Sequence, residues 1–227
     1  ISGASGINIH KNSTKNEIND IISGTRPATK GAAIQATLVY IRRKAETSGL
    51  SRTAKSEVEE KRLVDFIDKK DFWYKGSLIE DNFIKSGGEQ SVYEHPEHAE
   101  FVIKTNNANY YDFVWSDYLI NLLLHNYLFP NTAYELIGFK KTTGGKILSV
   151  VKQPFIERNK ITDLNDVQKF LEDKGFLRTH RLMNVYENDD LGIIIGDLHE
   201  ANVLTKDGVL YFIDTKFFQK SEASGIN

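Results

Sequence analysis

The sequence contains no cysteine, which excludes disulfides, thiolate chemistry and cysteine-ligated metals, and is compatible with a reducing compartment. It has no run of 18 apolar residues, the length that a membrane-spanning helix needs, so no membrane partner is expected. Neither sign of charge is in excess: 29 Lys and Arg stand against 31 Asp and Glu, a net charge of −2. That balance gives no bulk electrostatic case for nucleic acid. The cluster Arg42-Arg43-Lys44 reads as a solvated helix face, because Glu46, Glu57, Glu59 and Glu60 follow closely. An initiator methionine is also absent, since the chain begins at Ile1, and a piece of a longer protein is expected.

What remains is ample for a core. The 227 residues are 40% hydrophobic, enough for one bilobal domain or one domain with an appendage. Residues 1–13 are small, polar and Gly/Ser-rich and predict a flexible end. A short helix is predicted over 14–22. A second is predicted over 28–48, with Pro27 leading into it and Ile34, Leu38, Val39 and Ile41 on one side. A third is predicted to run to Lys70, starting near Thr53 or from a Ser56-x-x-Glu59 capping box, with Leu63, Phe66 and Ile67 inward. Residues 14–70 thus form an N-terminal helical segment.

From Phe72 the periodicity changes. Short strands are predicted at 82–85, 91–93 and 101–104, the first two joined by Ser86-Gly87-Gly88-Glu89-Gln90. A long apolar helix is predicted over 108–128, ended by Pro130. Two further strands, 134–139 and 147–152, complete a five-stranded antiparallel sheet. Thr162 or Asp163 caps a helix reaching about Lys174, and residues 176–190 read as loop.

The most informative stretch is 191–218, LGIIIGDLHEANVLTKDGVLYFIDTKFF. It predicts a buried strand at Ile193-Ile194-Ile195, a polar loop, a strand at Val203-Leu204, a turn at Asp207-Gly208 and a strand over 209–213. Asp197, Asn202 and Asp214 stand at the strand ends. Two carboxylates and an amide brought to one point would suit Mg²⁺ and phosphate, because Mg²⁺ takes a few hard oxygen ligands and keeps several waters.

Asp-Leu-His-Glu-Ala-Asn-Val-Leu followed by an apolar strand ending in Asp resembles the catalytic and metal-binding loops of the protein-kinase-like superfamily. Residues 57–218 are similar, more narrowly, to the small Ser/Thr/Tyr kinase-like domain embedded in bacterial and phage polyvalent proteins. Those are large multidomain proteins of phages and conjugative elements that enter a recipient cell with the DNA. The resemblance is carried by GGEQSVY at 87–93, LHNYLFP at 124–130, YELIGF at 134–139, QPFI at 153–156 and the stretch just described.

It implies an α+β, bilobal fold, with residues 71–157 as a sheet-bearing N-lobe and 158–227 as a minimal C-lobe. It implies a cytoplasmic phosphotransferase that uses ATP and Mg²⁺ and an unknown acceptor hydroxyl on a protein or small molecule. Asp197 would be the base, Asn202 and Asp214 the metal ligands, and His199 a contact to the transferred phosphate. Nucleotide binding would fall to Gly87, Gly88, Val92, Lys104, Gln153, Phe155, Ile156 and Leu204, with Lys104 on the phosphates and 153–157 as the hinge. The sequence departs from the pattern in several places, with Ile195-Gly196-Asp197 in place of His-Arg-Asp and His199 in place of the usual Lys. The glycine loop lacks a third glycine, Asp214-Thr215-Lys216 replaces Asp-Phe-Gly, and the 108–128 helix has no Glu to pair with Lys104. Asp117 is the best substitute by position and Asp112 the next. These departures define an alternative reading, a pseudokinase that binds nucleotide or acts as an interaction module. A C-lobe with one helix would leave the strands around Ile193–195, Leu210 and Phe212 uncovered. Helix 28–48 is therefore expected to pack there.

Overall fold

The computed structural model describes residues 11–43, 49–78, 82–180 and 184–220. The chain divides into two compact units: residues 21–155 form one, and residues up to Asp20 together with those from Ile156 onward form the other. It is a mixed α/β protein. The predicted flexible end falls mostly on residues 1–10, outside the described residues; α1 (Lys11–Ser23) begins within that prediction.

The 21–155 unit is built on a five-stranded antiparallel sheet, as the strand pattern predicts. Its strands are β1 (Phe83–Ser86), β2 (Gln90–Glu94), β3 (Phe101–Asn106), β4 (Glu135–Lys141) and β5 (Ile147–Pro154), in the order β1-β2-β3-β5-β4. The β4 edge is taken up by the chain at 72–74: Tyr74 N–H donates to Phe139 O at 2.7 Å and Phe139 N–H to Phe72 O at 3.1 Å. This approach needs Gly138. It has φ 150° beside a bulge in β4, and a Cβ there would lie 3.0 Å from Tyr74 N.

Three helices complete the unit: α2 (Ala32–Arg42), α3 (Arg52–Lys70) and α4 (Trp115–Leu128). Here several expectations are corrected. Helix α2 starts at Ala32 rather than 28, behind Gly31 at φ 96°, and residues 44–48 of its predicted span lie outside the described residues. Its Ile34, Leu38 and Ile41 are fully buried, and the stripe expected to cover the C-terminal strands packs on α4, α3 and β4, within its own unit. An apolar stripe states that a helix is covered but not by what.

Helix α3 is capped by Ser51, whose hydroxyl accepts from Ala54 N–H at 3.2 Å, and not by Thr53 or a Ser56–Glu59 box. Ser56 instead donates to Phe113 O, and Glu59 reaches another helix altogether. Helix α4 begins at Trp115, not 108. The preceding residues form a 3₁₀ turn, Asn109–Tyr111, with left-handed backbone at Ala108, Asp112 and Phe113. The new N-terminus of α4 receives the buried carboxylate of Glu59, which accepts from Ser116 N–H at 2.8 Å and Ser116 Oγ at 2.7 Å. A carboxylate there meets two otherwise orphaned donors and the positive end of the helix dipole.

Glu59→Ala is therefore expected to lower the unfolding free energy by about 1–3 kcal/mol, the cost of leaving buried donors unsatisfied. Chemical denaturation reads this directly, and an unchanged midpoint and slope would contradict it. Ring contacts then run through the unit's core from Tyr40 to Phe66, Phe72, Phe139, Trp115 and Tyr118, with centroids 5.2–6.3 Å apart.

The other unit contains α5 (Leu164–Glu172), capped by Asp163, one of the two caps expected, and two antiparallel sheets. One is the predicted hairpin, β9 (Val203–Lys206) with β10 (Val209–Phe212). Its turn has φ 51° at Asp207 and 77° at Gly208, the doubly positive geometry that Asp-Gly favours. The second sheet corrects the reading of 176–190 as loop. It consists of β6 (Leu177–His180), β7 (Val185–Asn188), β8 (Ile193–Gly196) and β11 (Lys216–Gln219), in the order β11-β8-β7-β6. Ile193, Ile195, Phe212 and Phe217 are buried, and Phe170 of α5 lies against Phe212 with ring centroids 5.4 Å apart. Much of what helix 28–48 was expected to cover is thus packed by local elements.

Candidate active site

Strand β8 delivers the chain to Asp197, and β11 returns beside it, with Lys216 opposite Gly196. At Asp197 the backbone turns into the left-handed region, φ 61°, a conformation that short polar side chains tolerate better than others and that recurs at functional sites. The next residues close a tight turn: Asn202 N–H and Val203 N–H both donate to His199 O at 2.9 Å. The turn brings Asn202 back onto Asp197. Asn202 Nδ2 donates to Asp197 Oδ2 at 3.0 Å and to Asp197 O at 2.9 Å. Asn202 is buried, and with both amide hydrogens directed at Asp197 its orientation is fixed, which leaves Oδ1 as an oriented hard oxygen.

His199 lies on the other carboxylate oxygen. Its Nε2 is 3.5 Å from Asp197 Oδ1, while its Nδ1 accepts from Ala201 N–H at 3.3 Å. With Nδ1 accepting, a neutral imidazole carries its proton on Nε2, facing Asp197. Asp197 and His199 are both substantially exposed, at 38% and 49% of their side chains. The structure therefore gathers three predicted residues, Asp197, His199 and Asn202, in one hydrogen-bonded loop.

Asp214 follows directly on the hairpin. Ile213 N–H donates to Asn202 O at 2.9 Å, so the residue before Asp214 is bound to the backbone of Asn202. The hairpin is braced from 159–162. Asn159 and Asp207 exchange two hydrogen bonds at 2.7 and 3.1 Å, and Thr162 Oγ1 donates to Val203 O at 2.6 Å. Leu204 is half-buried on β9, opposite Tyr211. Among the described residues no three His, Cys, Asp or Glu side chains gather into a metal cage. An amide oxygen and a carboxylate are a donor set that fits Mg²⁺ when phosphate and water supply the remaining oxygens.

The residues predicted to bind nucleotide lie mostly in the 21–155 unit. Gly87 and Gly88 are in the exposed β1–β2 turn, where Gly87 N–H donates to Gln90 O at 2.7 Å. Neither has a positive φ, and a Cβ on either would meet nothing closer than 3.9 Å. The fold itself does not require glycine at these positions. Val92 stands across β2–β3 from Lys104. Lys104 is only 4% exposed, and its Nζ lies 5.5 Å from the centre of the Tyr134 ring.

Gln153 turns inward rather than outward. Its Nε2 donates to Thr132 O at 2.8 Å, and its buried Oε1 has no hydrogen-bond partner among the described residues. Phe155 N–H donates to Glu100 O at 2.8 Å, and its ring is exposed. The boundary between the units falls between Phe155 and Ile156.

Asp117, the position proposed to pair with Lys104, accepts from Arg52 at 3.1 Å and lies 3.5 Å from Lys55 Nζ; Asp112 accepts from Arg52 Nε at 2.8 Å. Burial pulls the Arg52 guanidinium pKa down, but the bonds and charges of Asp112 and Asp117 outweigh it and the net shift is upward. Sequence reading missed Tyr134 as a neighbour of Lys104. No spacing rule links the two positions, and only the register of β3, β5 and β4 brings them together.

A sequence profile of the family described as serine/threonine/tyrosine kinase found in polyvalent proteins matches residues 56–221, well over half of the chain. No curated protein matches, and no solved structure does. Among the described residues no helix is long and apolar enough to cross a membrane.

Proposed function

Because the chain belongs to the family of serine/threonine/tyrosine kinases found in polyvalent proteins, we propose that it is an ATP- and Mg²⁺-dependent phosphotransferase acting on a hydroxyl of a protein or small molecule. The observation that carries this reading is the Asn202–Asp197 pairing at 3.0 Å. It fixes one carboxylate and one amide oxygen in a loop whose adjoining hairpin strand leads to Asp214. In this reading the fold is bilobal, with residues 71–157 as the N-lobe and 158–227 as the C-lobe.

Each residue then has a role. Asp197 orients the acceptor hydroxyl and takes its proton, and His199, whose Nε2 faces Asp197 Oδ1, stands beside it as a contact to the transferred phosphate. Asn202 Oδ1 and Asp214 hold Mg²⁺, which neutralises phosphate charge when bound. Lys104 binds phosphate oxygens, and the bare turn at Gly87 and Gly88 lets backbone N–H groups approach them. Phosphoryl transfer asks little more of a protein than such positioning and charge neutralisation.

The alternative, a pseudokinase acting as a nucleotide-binding or interaction module, is favoured by one observation: the Asp117 carboxylate is engaged by Arg52 and Lys55. Incubation with γ-labelled ATP and Mg²⁺, followed by mass spectrometry of the chain itself and of candidate acceptors, separates the two. Phosphate incorporation is expected; ATP binding with no transfer would replace the enzyme by the pseudokinase. A cytoplasmic site of action, after delivery as part of a larger protein, accords with this reading.

A further inference from the structure

A lysine amine in the middle of a sheet is a costly group to bury unless an electron-rich partner receives it. Lys104 sits between Val92 of β2 and Val151 of β5, and the ring face of Tyr134 lies 5.5 Å from its ammonium. Tyr134 is itself held in place. The side-chain amide of Asn126, on α4, accepts from Tyr134 N–H at 2.7 Å and donates to Tyr134 O at 2.8 Å. The ring of His125, also on α4, lies 4.7 Å from the Tyr134 ring, and His125 Nε2 is bonded to Thr132. The platform beneath Lys104 is therefore fixed by α4, a helix that contains no Glu and whose Asp117 is engaged by Arg52 and Lys55.

We propose that Tyr134 is the positioning partner of Lys104, its ring holding the ammonium for a nucleotide phosphate and coupling that ammonium to α4 where the kinase pattern uses a helix carboxylate. The proposal rests on the nucleotide reading given above.

The test is a double-mutant cycle between Tyr134→Leu and Lys104→Met, read twice: as Mg·ATP affinity by calorimetry, and as stability by urea unfolding without nucleotide. Tyr134→Leu is expected to weaken Mg·ATP binding by about 30-fold, the scale of a desolvated cation–π contact. Tyr134→Phe and Tyr134→Trp, which keep a π face, are expected to stay within about threefold of the parent. In the Lys104→Met background Tyr134→Leu should weaken binding no further.

An equal loss in both backgrounds, or a loss in Tyr134→Phe as large as in Tyr134→Leu, overturns the proposal in favour of plain packing. If the unaltered chain binds no Mg·ATP, the nucleotide reading fails and the positioning role fails with it. The unfolding cycle still decides the contact by itself: coupling between the two substitutions supports it, and strict additivity overturns it.

Discussion

Asp197→Asn is expected to lose phosphoryl transfer by roughly 10²-fold or more while Mg·ATP affinity stays within a few-fold, the scale for removing a positioned acid–base group. The substitution is close to isosteric, and asparagine tolerates the left-handed backbone that Asp197 adopts at φ 61°. An oxygen remains to accept from Asn202 Nδ2, now at 3.0 Å, so the loop has reason to keep its shape. What disappears is the charge and basicity that face the acceptor. Single-turnover transfer and calorimetric binding, measured on one preparation, separate the two effects. Full transfer in Asp197→Asn would overturn the assignment of this loop.

The second large effect is structural. Deleting residues 1–50 is expected to leave an insoluble or strongly destabilised protein. The deletion removes α2, whose Ile34, Leu38 and Ile41 are fully buried against α4 and its neighbours. Each such side chain is worth about 2–5 kcal/mol against truncation, and a typical domain has only about 5–15 kcal/mol in total. The apolar face of α4 would also be opened to water, including Leu123, which lies within 3.4 Å of a Cβ built at Gly31. Sedimentation and circular dichroism of the shortened chain check this. A soluble variant with a cooperative unfolding transition would show that the 21–155 unit stands without α2.

These two expectations draw on different degrees of legibility in the sequence. The five strands of the large sheet were readable because turn residues bound each of them, and Asp207-Gly208 specified its hairpin down to the sign of φ. The loop from Asp197 to Asn202 was readable because its chemistry is local, six residues closing on one hydrogen-bonded pair. Strands β6, β7 and β11 were not. Leu177–His180 and Val185–Asn188 are polar, four-residue segments that become strands by pairing outward from β8, a non-local event with no local pattern. The start of α4 was hidden for a related reason. The apolar run from Ala108 continues the helical pattern, but left-handed backbone at Asp112 and Phe113 ends it, and Glu59, more than fifty residues away, caps the helix that follows. The partner of Asp117 was equally remote, since Arg52 and Lys55 come from another helix.

The central claim is that this chain binds Mg·ATP through Asn202 and Asp214. Calorimetric titration of Mg·ATP into the unaltered chain and into Asp214→Ala, with thermal unfolding of both, tests it most directly. Asp214 lies in the bend between β10 and β11 and is half-buried, and thermal unfolding of Asp214→Ala checks that the fold survives its removal. The account predicts saturable, Mg²⁺-dependent binding to the unaltered chain, stabilising it by about 2.7 kcal/mol at a hundredfold excess over the dissociation constant, and loss of both in Asp214→Ala. No binding to the unaltered chain, or equal affinity in Asp214→Ala, would contradict it.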